Sequence, residues 1–510
     1  MSELLRRCHV LTASPSLRLA ALALLLAFAF LGSRGIWDPD EGRYTNVALQ
    51  MLDSGDWVHP KRHHETGHWT KPPLTYWTIA ASIAGFGPKP WAARLPAALS
   101  YLLCTLLAWR IARRLLPGRE DRAGLVYATM LLPFGAASLI TTDFLLAACE
   151  TLAMWAFVEA RFAASGRRGL GWMLLLWVAL ALAFLTKGPP GLLPLAVMLL
   201  FNLLAPGPQR RSVMQWSGLA LFVLLALPWY VAVILGTPGL LDYFVGDEIY
   251  NRIATDHFNR NGQWYGWLWV YAPTLLLGSL PWTRGLLGVT GALPGQLRRW
   301  WREPAARDAD APLLLLTVWL LLPLLVFCLS RSRLPLYLLP LFVPLALLIA
   351  ARSPAGAPLR WRWLLLWAVV VLGLRLASAG WPTHKDASAW AEAIRERAPF
   401  VVREVVFVDD MARYGLHLEL GTEIERIYPH PLPRPQPRFN PGFDADLAQE
   451  LAEREPDVLW ICKQALWPSL QARIAELGYH AQVLGEPYEG RVMFVVTPAS
   501  TLPAPADRDG

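Results

Sequence analysis

Eleven apolar runs of membrane-spanning length recur along the chain, and they narrow its possible folds more than anything else in the sequence. They lie at 17–34, 91–115, 122–140, 144–164, 170–186, 189–205, 214–236, 264–290, 311–329, 334–351 and 361–379. A helix needs about 20 apolar residues to cross the bilayer, where every backbone polar group must be satisfied without water. Composition agrees: 55% hydrophobic residues, 17% charged residues and a mean hydropathy of +0.33 exclude an ordinary soluble enzyme. No small-residue cleavage site follows the first run, so it reads as a retained span. The expected fold is a polytopic α-helical membrane protein.

Basic residues set the expected orientation. Arginines 6 and 7 precede the first run. Clusters at 113–122, 161–168, 210–211, 298–307 and 352–362 then occupy every second junction. By the positive-inside rule these face the cytoplasm, which puts the N-terminus inside and the C-terminus outside. The net charge of +8 is accounted for by these loops, so nucleic acid is not an expected partner.

The outward junctions then collect the unusual polar residues. The first follows directly on the apolar run and carries Asp38-Pro39-Asp40-Glu41-Gly42-Arg43, with Lys71 beyond it. The others carry Asp143, Lys187, then Glu248, Arg252 and His257, and finally Arg331, Arg333 and Tyr337. Any one of these could cap a helix or snorkel to the interface. As a set from five junctions on one side, they point to a single cavity. Only six lysines occur in the chain, and two sit in Lys71-Pro72-Pro73 and Lys187-Gly188-Pro189-Pro190. An ammonium held at headgroup level suits a phosphate, with Arg252 and Arg331 able to add forked contacts. Two helices in the first outer loop read as interfacial: one with the stripe Val47, Ala48, Met51 and Leu52, the other over 73–87.

Together these stretches resemble the polyprenyl-phosphate-sugar glycosyltransferases of GT-C architecture, in particular the bacterial lipid A aminoarabinose transferase family and the related protein O-mannosyltransferases. The resemblance rests on Pro39–Tyr44 with Met51–Val58, Lys71-Pro72-Pro73-Leu74-Thr75-Tyr76-Trp77, Thr142-Asp143, Thr186-Lys187-Gly188, Glu248–Arg252, Gly278–Trp282 and Arg333–Pro340, in family order. It implies that Asp40 is the essential acid, with Glu41 beside it. It also implies a donor phosphate bound by Lys71, Lys187 and Arg252, with Arg331 and Arg333 near, and a cavity lined by Arg43, Tyr76, Asp143, Glu248, His257 and Tyr337. Two positions depart from the family pattern: Thr70 stands where an acid often precedes Lys-Pro, and Arg333 replaces a lysine.

The implied activity is inverting transfer of a sugar from a polyprenyl (undecaprenyl) phosphate to an acceptor on the periplasmic face of the inner membrane. A lipid A-like glycolipid is the expected acceptor. Transfer to protein Ser/Thr is the alternative, and a non-enzymatic transporter the second. A polyprenyl-phosphate sugar already has a good leaving group, and no glycine-rich phosphate loop is present, so no cofactor is expected. A divalent metal is possible without being indicated. His59, His63, His64 and His68 crowd one segment with Glu65, but their spacing fits no closed site, and they read as a solvated loop. The five cysteines show no paired spacing. Residues 1–379 read as the transmembrane domain. Residues 380–510 read as a small α/β extracytoplasmic domain, with strands around 405–408, 457–461 and 491–496 and a disordered tail from Pro503.

Overall fold

The computed structural model describes residues 14–162, 169–205, 212–251, 255, 260–432 and 437–499. The expected disordered tail, Cys8, Arg252 and His257 lie outside these residues, as do several of the junction arginines. The chain forms two compact units. One comprises the described residues of Met1–Leu31, Lys71–Thr78 and Arg94–Ser378; the other those of Gly32–Thr70, Ile79–Ala93 and Ala379–Gly510. The boundary near residue 379 is thus one of several places where the chain passes between units.

The first unit is helical. Among the described residues five helices are long and apolar enough to cross a membrane: Pro90–Leu115, Gly169–Lys187, Trp216–Gly236, Ala311–Leu329 and Trp361–Ala379. Leucine side chains stay at the outer surface of Trp216–Gly236, where Leu224 and Leu235 are 69% and 79% exposed. Such continuous apolar exposure belongs against lipid. Among the described residues the eleven expected runs do not become eleven long helices. The 122–140 run is two short helices, Glu120–Thr129 and Leu131–Ala136, parted at an extended Met130 with Pro133 just after. The 264–290 run breaks before Pro281 into Gly266–Gly278 and Thr283–Arg302. The second of these carries Arg298, Arg299 and Arg302 and is amphipathic. Prolines also turn the starts of the 189–204 and 335–351 runs into tighter 3₁₀ turns.

Arg375 shows how the short elements are tied. It sits buried in the last apolar helix and donates to the carbonyls of Leu26 (2.8 Å), Ala29 (3.1 Å) and Phe134 (3.0 Å). One guanidinium thereby satisfies carbonyls at and beside the ends of two short helices, which would otherwise be costly to bury.

The second unit is built on a five-stranded sheet in the order β2-β1-β3-β5-β4. Its strands are β1 Glu404–Val408, β2 Glu423–Ile427, β3 Val458–Lys463, β4 Tyr479–Val483 and β5 Arg491–Pro498. β2, β1 and β3 run parallel, and β5 is antiparallel to β3 and β4. Alternate residues feed two cores. Val405, Phe407, Leu459 and Ile461 pack with Trp390 and Ile394, while Val406, Val408, Trp460 and Cys462 pack with Leu447, Leu451 and Ile474. The three expected strands are present; β2 and β4 are additional.

Residues of the first loop complete this unit. Asp38 N–H donates to the Lys385 carbonyl (3.0 Å), and Ala387 N–H to that of Ile36 (2.9 Å). The helix Asp40–Ser54 departs from the interfacial reading. Its polar Thr45, Asn46 and Gln50 are buried along with Val47, Ala48 and Met51. Asn46 meets His417 Nδ1 at 2.7 Å and donates to the Arg62 carbonyl. The solvated-loop reading fails for His63 and His68, which are 4% and 1% exposed, and holds for His64, which is exposed. The four described cysteines are free.

Candidate active site

Three carboxylates crowd the start of the Asp40–Ser54 helix, and the fold gives them three environments. Glu41 is buried and accepts two bonds from Arg34 (2.6 and 3.0 Å) and one from Trp37 N–H (3.0 Å). Asp38 is also buried and accepts the Gly415 N–H at 3.2 Å. Burial pushes its carboxyl well above the usual carboxylate range, against the opposing Gly415 N–H and Arg413 charge. Gly42 is required for this packing: a Cβ there would overlap the Asp38 carboxylate and lie 2.6 Å from Gly415 N. Asp40 is different. Its side chain is 76% exposed and meets Arg43 Nη2 at 3.1 Å. Both Asp40 and Glu41 lie in the first turn, where the helix dipole favours negative charge.

The helical unit holds the two motif lysines, each against a carboxylate. Lys71 precedes the prolines that start the Leu74–Phe86 helix and donates to Glu248 Oε2 at 3.2 Å. Glu248 lies in a wide, π-type helical segment, Tyr243–Asn251, and also accepts from Tyr243 Oη at 3.3 Å. Lys187 ends the Gly169–Lys187 helix. The next residue, Gly188, has φ of 73°, a left-handed turn that favours glycine, before Pro189–Leu192. Lys187 Nζ donates to Asp143 Oδ1 at 2.5 Å and lies 4.2 Å from the Tyr337 ring centre. Asp143 opens its own helix, Thr142–Phe162, so both members of the pair sit at the helix end their charge prefers. The four side chains are only 10–14% exposed.

Glu150 was passed over in the sequence. It lies seven residues after Asp143 on the same helix face, is 5% exposed, and interacts electrostatically with Lys187 and Asp143. The available signal was a carboxylate in the middle of an apolar run.

Arg333 is 3% exposed, and its Nη atoms donate to the carbonyls of Asn261 (2.6 Å), Gln263 (2.7 Å) and Cys328 (3.0 Å). The guanidinium fork spreads these contacts over two nitrogens, Nη1 serving Asn261 and Gln263 and Nη2 serving Cys328. Arg331 and Arg333 line a cavity of 840 Å³ whose walls are otherwise mainly apolar, including Trp264, Trp267, Leu325 and Leu329. Tyr76 is fully buried in its helix. Within the helical unit Lys71 thus meets Glu248, Lys187 meets Asp143 and Tyr337, and Arg331 and Arg333 line the cavity; within the sheet-bearing unit Asp40 meets Arg43.

Known proteins resemble the chain in sequence and in fold. The family profile for dolichyl-phosphate-mannose-protein mannosyltransferase matches residues 70–252. An undecaprenyl phosphate-alpha-4-amino-4-deoxy-L-arabinose arabinosyl transferase of Edwardsiella ictaluri is 36% identical over 340 residues, 65% of this chain and 58% of the relative. A Pseudomonas aeruginosa protein of the same name is 35% identical over 345 residues, covering 64% and 58%. The matches thus span less than two thirds of these relatives. The crystal structure of ArnT from Cupriavidus metallidurans in the apo state superposes with a TM-score of 0.73 at 21% identity, covering 95% of this chain and 98% of that one. The same protein bound to undecaprenyl phosphate gives 0.71 at 20% identity, covering 94% and 97%. The chain has the fold of this GT-C protein, and its sequence resembles the bacterial lipid A aminoarabinose transferase family.

Proposed function

We propose that the protein is an inverting glycosyltransferase of the inner membrane. It moves a sugar from undecaprenyl phosphate to a lipid A-like acceptor, aminoarabinose being the sugar the resemblance favours. The observation that carries this reading is the Lys187–Asp143 pair over Tyr337 at the ends of two apolar helices. An ammonium held at such a place by one carboxylate can turn to a lipid phosphate and neutralise the charge that grows as the sugar leaves. Lys71 on Glu248 repeats the arrangement. Asp40, whose carboxylate is open, orients the acceptor and takes its proton where the acceptor is a hydroxyl. Glu41 anchors the helix that presents Asp40. The phosphate leaving group is already activated, so the chemistry asks for no further cofactor. A single displacement inverts the anomeric centre.

The match to the protein mannosyltransferase profile keeps a second acceptor in view, the hydroxyl of a protein Ser or Thr. Mass spectrometry of lipid A and of periplasmic glycoproteins, with and without the gene, separates the two. Sugar-modified lipid A lost with the gene supports the first reading, and lost glycopeptides support the second. Purified protein that leaves an undecaprenyl-phosphate sugar untouched with either acceptor overturns both. The periplasmic placement of the chemistry follows the basic junctions. A reporter active only in the periplasm should work after Gly380 and stay silent after Arg210.

A further inference from the structure

Away from the residues assigned to transfer, the second unit gathers His63 with Glu404, Glu423, Glu425 and Glu450. Glu404 opens β1 and stands directly across from Glu423 on β2. Like charges facing each other across two strands oppose pairing unless something between them compensates. His63 fills that place. Its Nε2 lies 3.3 Å from Glu404 Oε1 and 3.0 Å from Glu423 Oε2. Both contacts fall on one ring nitrogen, whose single N–H cannot serve both carboxylates fully. Arg62, the neighbouring cation, is already committed to Asp444 through two bonds (3.0 and 2.8 Å).

Two triads of donor atoms share His63. In each, the three atoms lie within 4.8 Å of one another: His63, His64 and Glu423, and His63, Glu404 and Glu425. The second is buried throughout, with exposures of 4%, 5% and 4%. Glu450 reaches Glu425 with its carboxyl, is 5% exposed itself, and has an Oε2 that finds no hydrogen-bond partner. Buried carboxylates at this density need protons, paired cations or a metal. Zinc bonds of about 2.0–2.1 Å in a tetrahedron put neighbouring donor atoms about 3.3 Å apart, which matches the His63–Glu404 separation.

We propose that His63, Glu404 and Glu425 form a structural site for a divalent transition-metal ion of the zinc class, with Glu450 beside it. One imidazole with carboxylates suits such an ion, whereas magnesium and calcium prefer all-oxygen shells. The site would tie the 59–70 loop to strands β1 and β2.

The test uses full-length protein in detergent, stripped with a chelator, reloaded with Zn²⁺ and desalted. Metal is measured by mass spectrometry and stability by thermal unfolding. The expected result is about one zinc per chain and a melting temperature that falls by about 4 °C or more on stripping. Zn²⁺ restores it and Mg²⁺ or Ca²⁺ does not. Glu425→Gln, nearly isosteric, and His63→Ala should each lose most of the metal, while Glu423→Gln keeps it. Glu425→Gln remains decisive if His63→Ala fails to fold. Wild-type protein that holds no stoichiometric zinc and melts alike with and without it overturns the proposal. Zinc retained equally by Glu425→Gln and wild type means an adventitious ion only. Zinc lost from Glu423→Gln but kept by Glu425→Gln overturns the buried assignment.

Discussion

The two units use the same ingredients, carboxylates and cations, to opposite ends. In the helical unit each motif lysine meets one carboxylate oxygen, and an aromatic ring lies under Lys187. An ammonium carries three donors, so the one carboxylate contact does not use up Lys187. In the sheet-bearing unit Glu41 is held by a two-pronged arginine and a backbone N–H, and Asp38 is held by the Gly415 N–H. Such arrangements fix a backbone and leave little to offer a substrate. Asp40 escapes because it lies on the open side of the same helix turn. A carboxylate in a motif is therefore not a catalyst by membership; its surroundings decide.

The largest expected effect tests the structural half of this contrast. Glu41→Gln leaves the Arg34 guanidinium buried without its counter-charge, and breaking a buried pair costs about 3–5 kcal/mol. Thermal unfolding in detergent should show a strongly destabilised or unexpressed protein, and transfer should fall only in proportion to folded protein. A stable Glu41→Gln with lost turnover would move Glu41 from scaffold to chemistry.

Asp40→Asn comes next and should reverse that pattern. Expression and melting should be unchanged, because the side chain is open, while transfer falls by about 10²-fold or more, the scale of lost acid–base assistance. For an acceptor that is itself a phosphate the fall should be smaller, since no proton need be removed. Comparing a phosphate with a hydroxyl acceptor on the same variant reads this directly. An Asp40→Asn protein with normal transfer to a hydroxyl would end the assignment.

Lys187→Ala and Lys71→Ala are expected to act on the donor. Losing one charge-assisted contact costs about 1.5–3 kcal/mol, so donor affinity should drop by about 10-fold or more. Glu150 refines this prediction. With Lys187 gone, the buried Asp143 is left without its 2.5 Å partner and Glu150 without a nearby cation, so Lys187→Ala should lose more stability than Lys71→Ala. Equal melting temperatures for the two variants would mean that Glu150 is not coupled to the lysine.

Much of this was legible in the chain and some was not, for identifiable reasons. Hydropathy located the apolar runs but not their breaks at Met130 and Pro281, because the transfer free energy of a run does not register where hydrogen bonding is interrupted. The α/β character of residues 404–498 was readable from alternating strands. That residues 32–70 complete the same unit was not, because their partners (Lys385, Gly415, His417, Asp444) lie more than 300 residues away. The same distance hid the anchoring of Asp38 by Gly415, whereas the partners of Glu41, Arg34 and Trp37, lie within seven residues of it. Glu150 could have been seen, since a lone acid inside an apolar run carries its own signal.

The smallest effect concerns Asp38 and depends on pH. Its folded-state pKa is raised by burial, against the Gly415 N–H and Arg413, so the folded protein holds this proton more tightly than the unfolded chain does. Stability is then greatest below the ordinary aspartate pKa of about 3.9 and declines as pH rises through the folded value. Asp38→Asn keeps the size of the side chain, and its amide oxygen can still accept the Gly415 N–H. The variant should lack that decline. The informative quantity is the difference in melting temperature between variant and wild type from about pH 4 to pH 8, since the other titrating groups are common to both. The difference should grow in favour of the variant as pH rises. A difference that shrinks or changes sign would mean that Arg413 and the Gly415 N–H outweigh burial. Asp38 would then be a charged anchor like Glu41, and the contrast within the motif would narrow to Asp40 against its two neighbours.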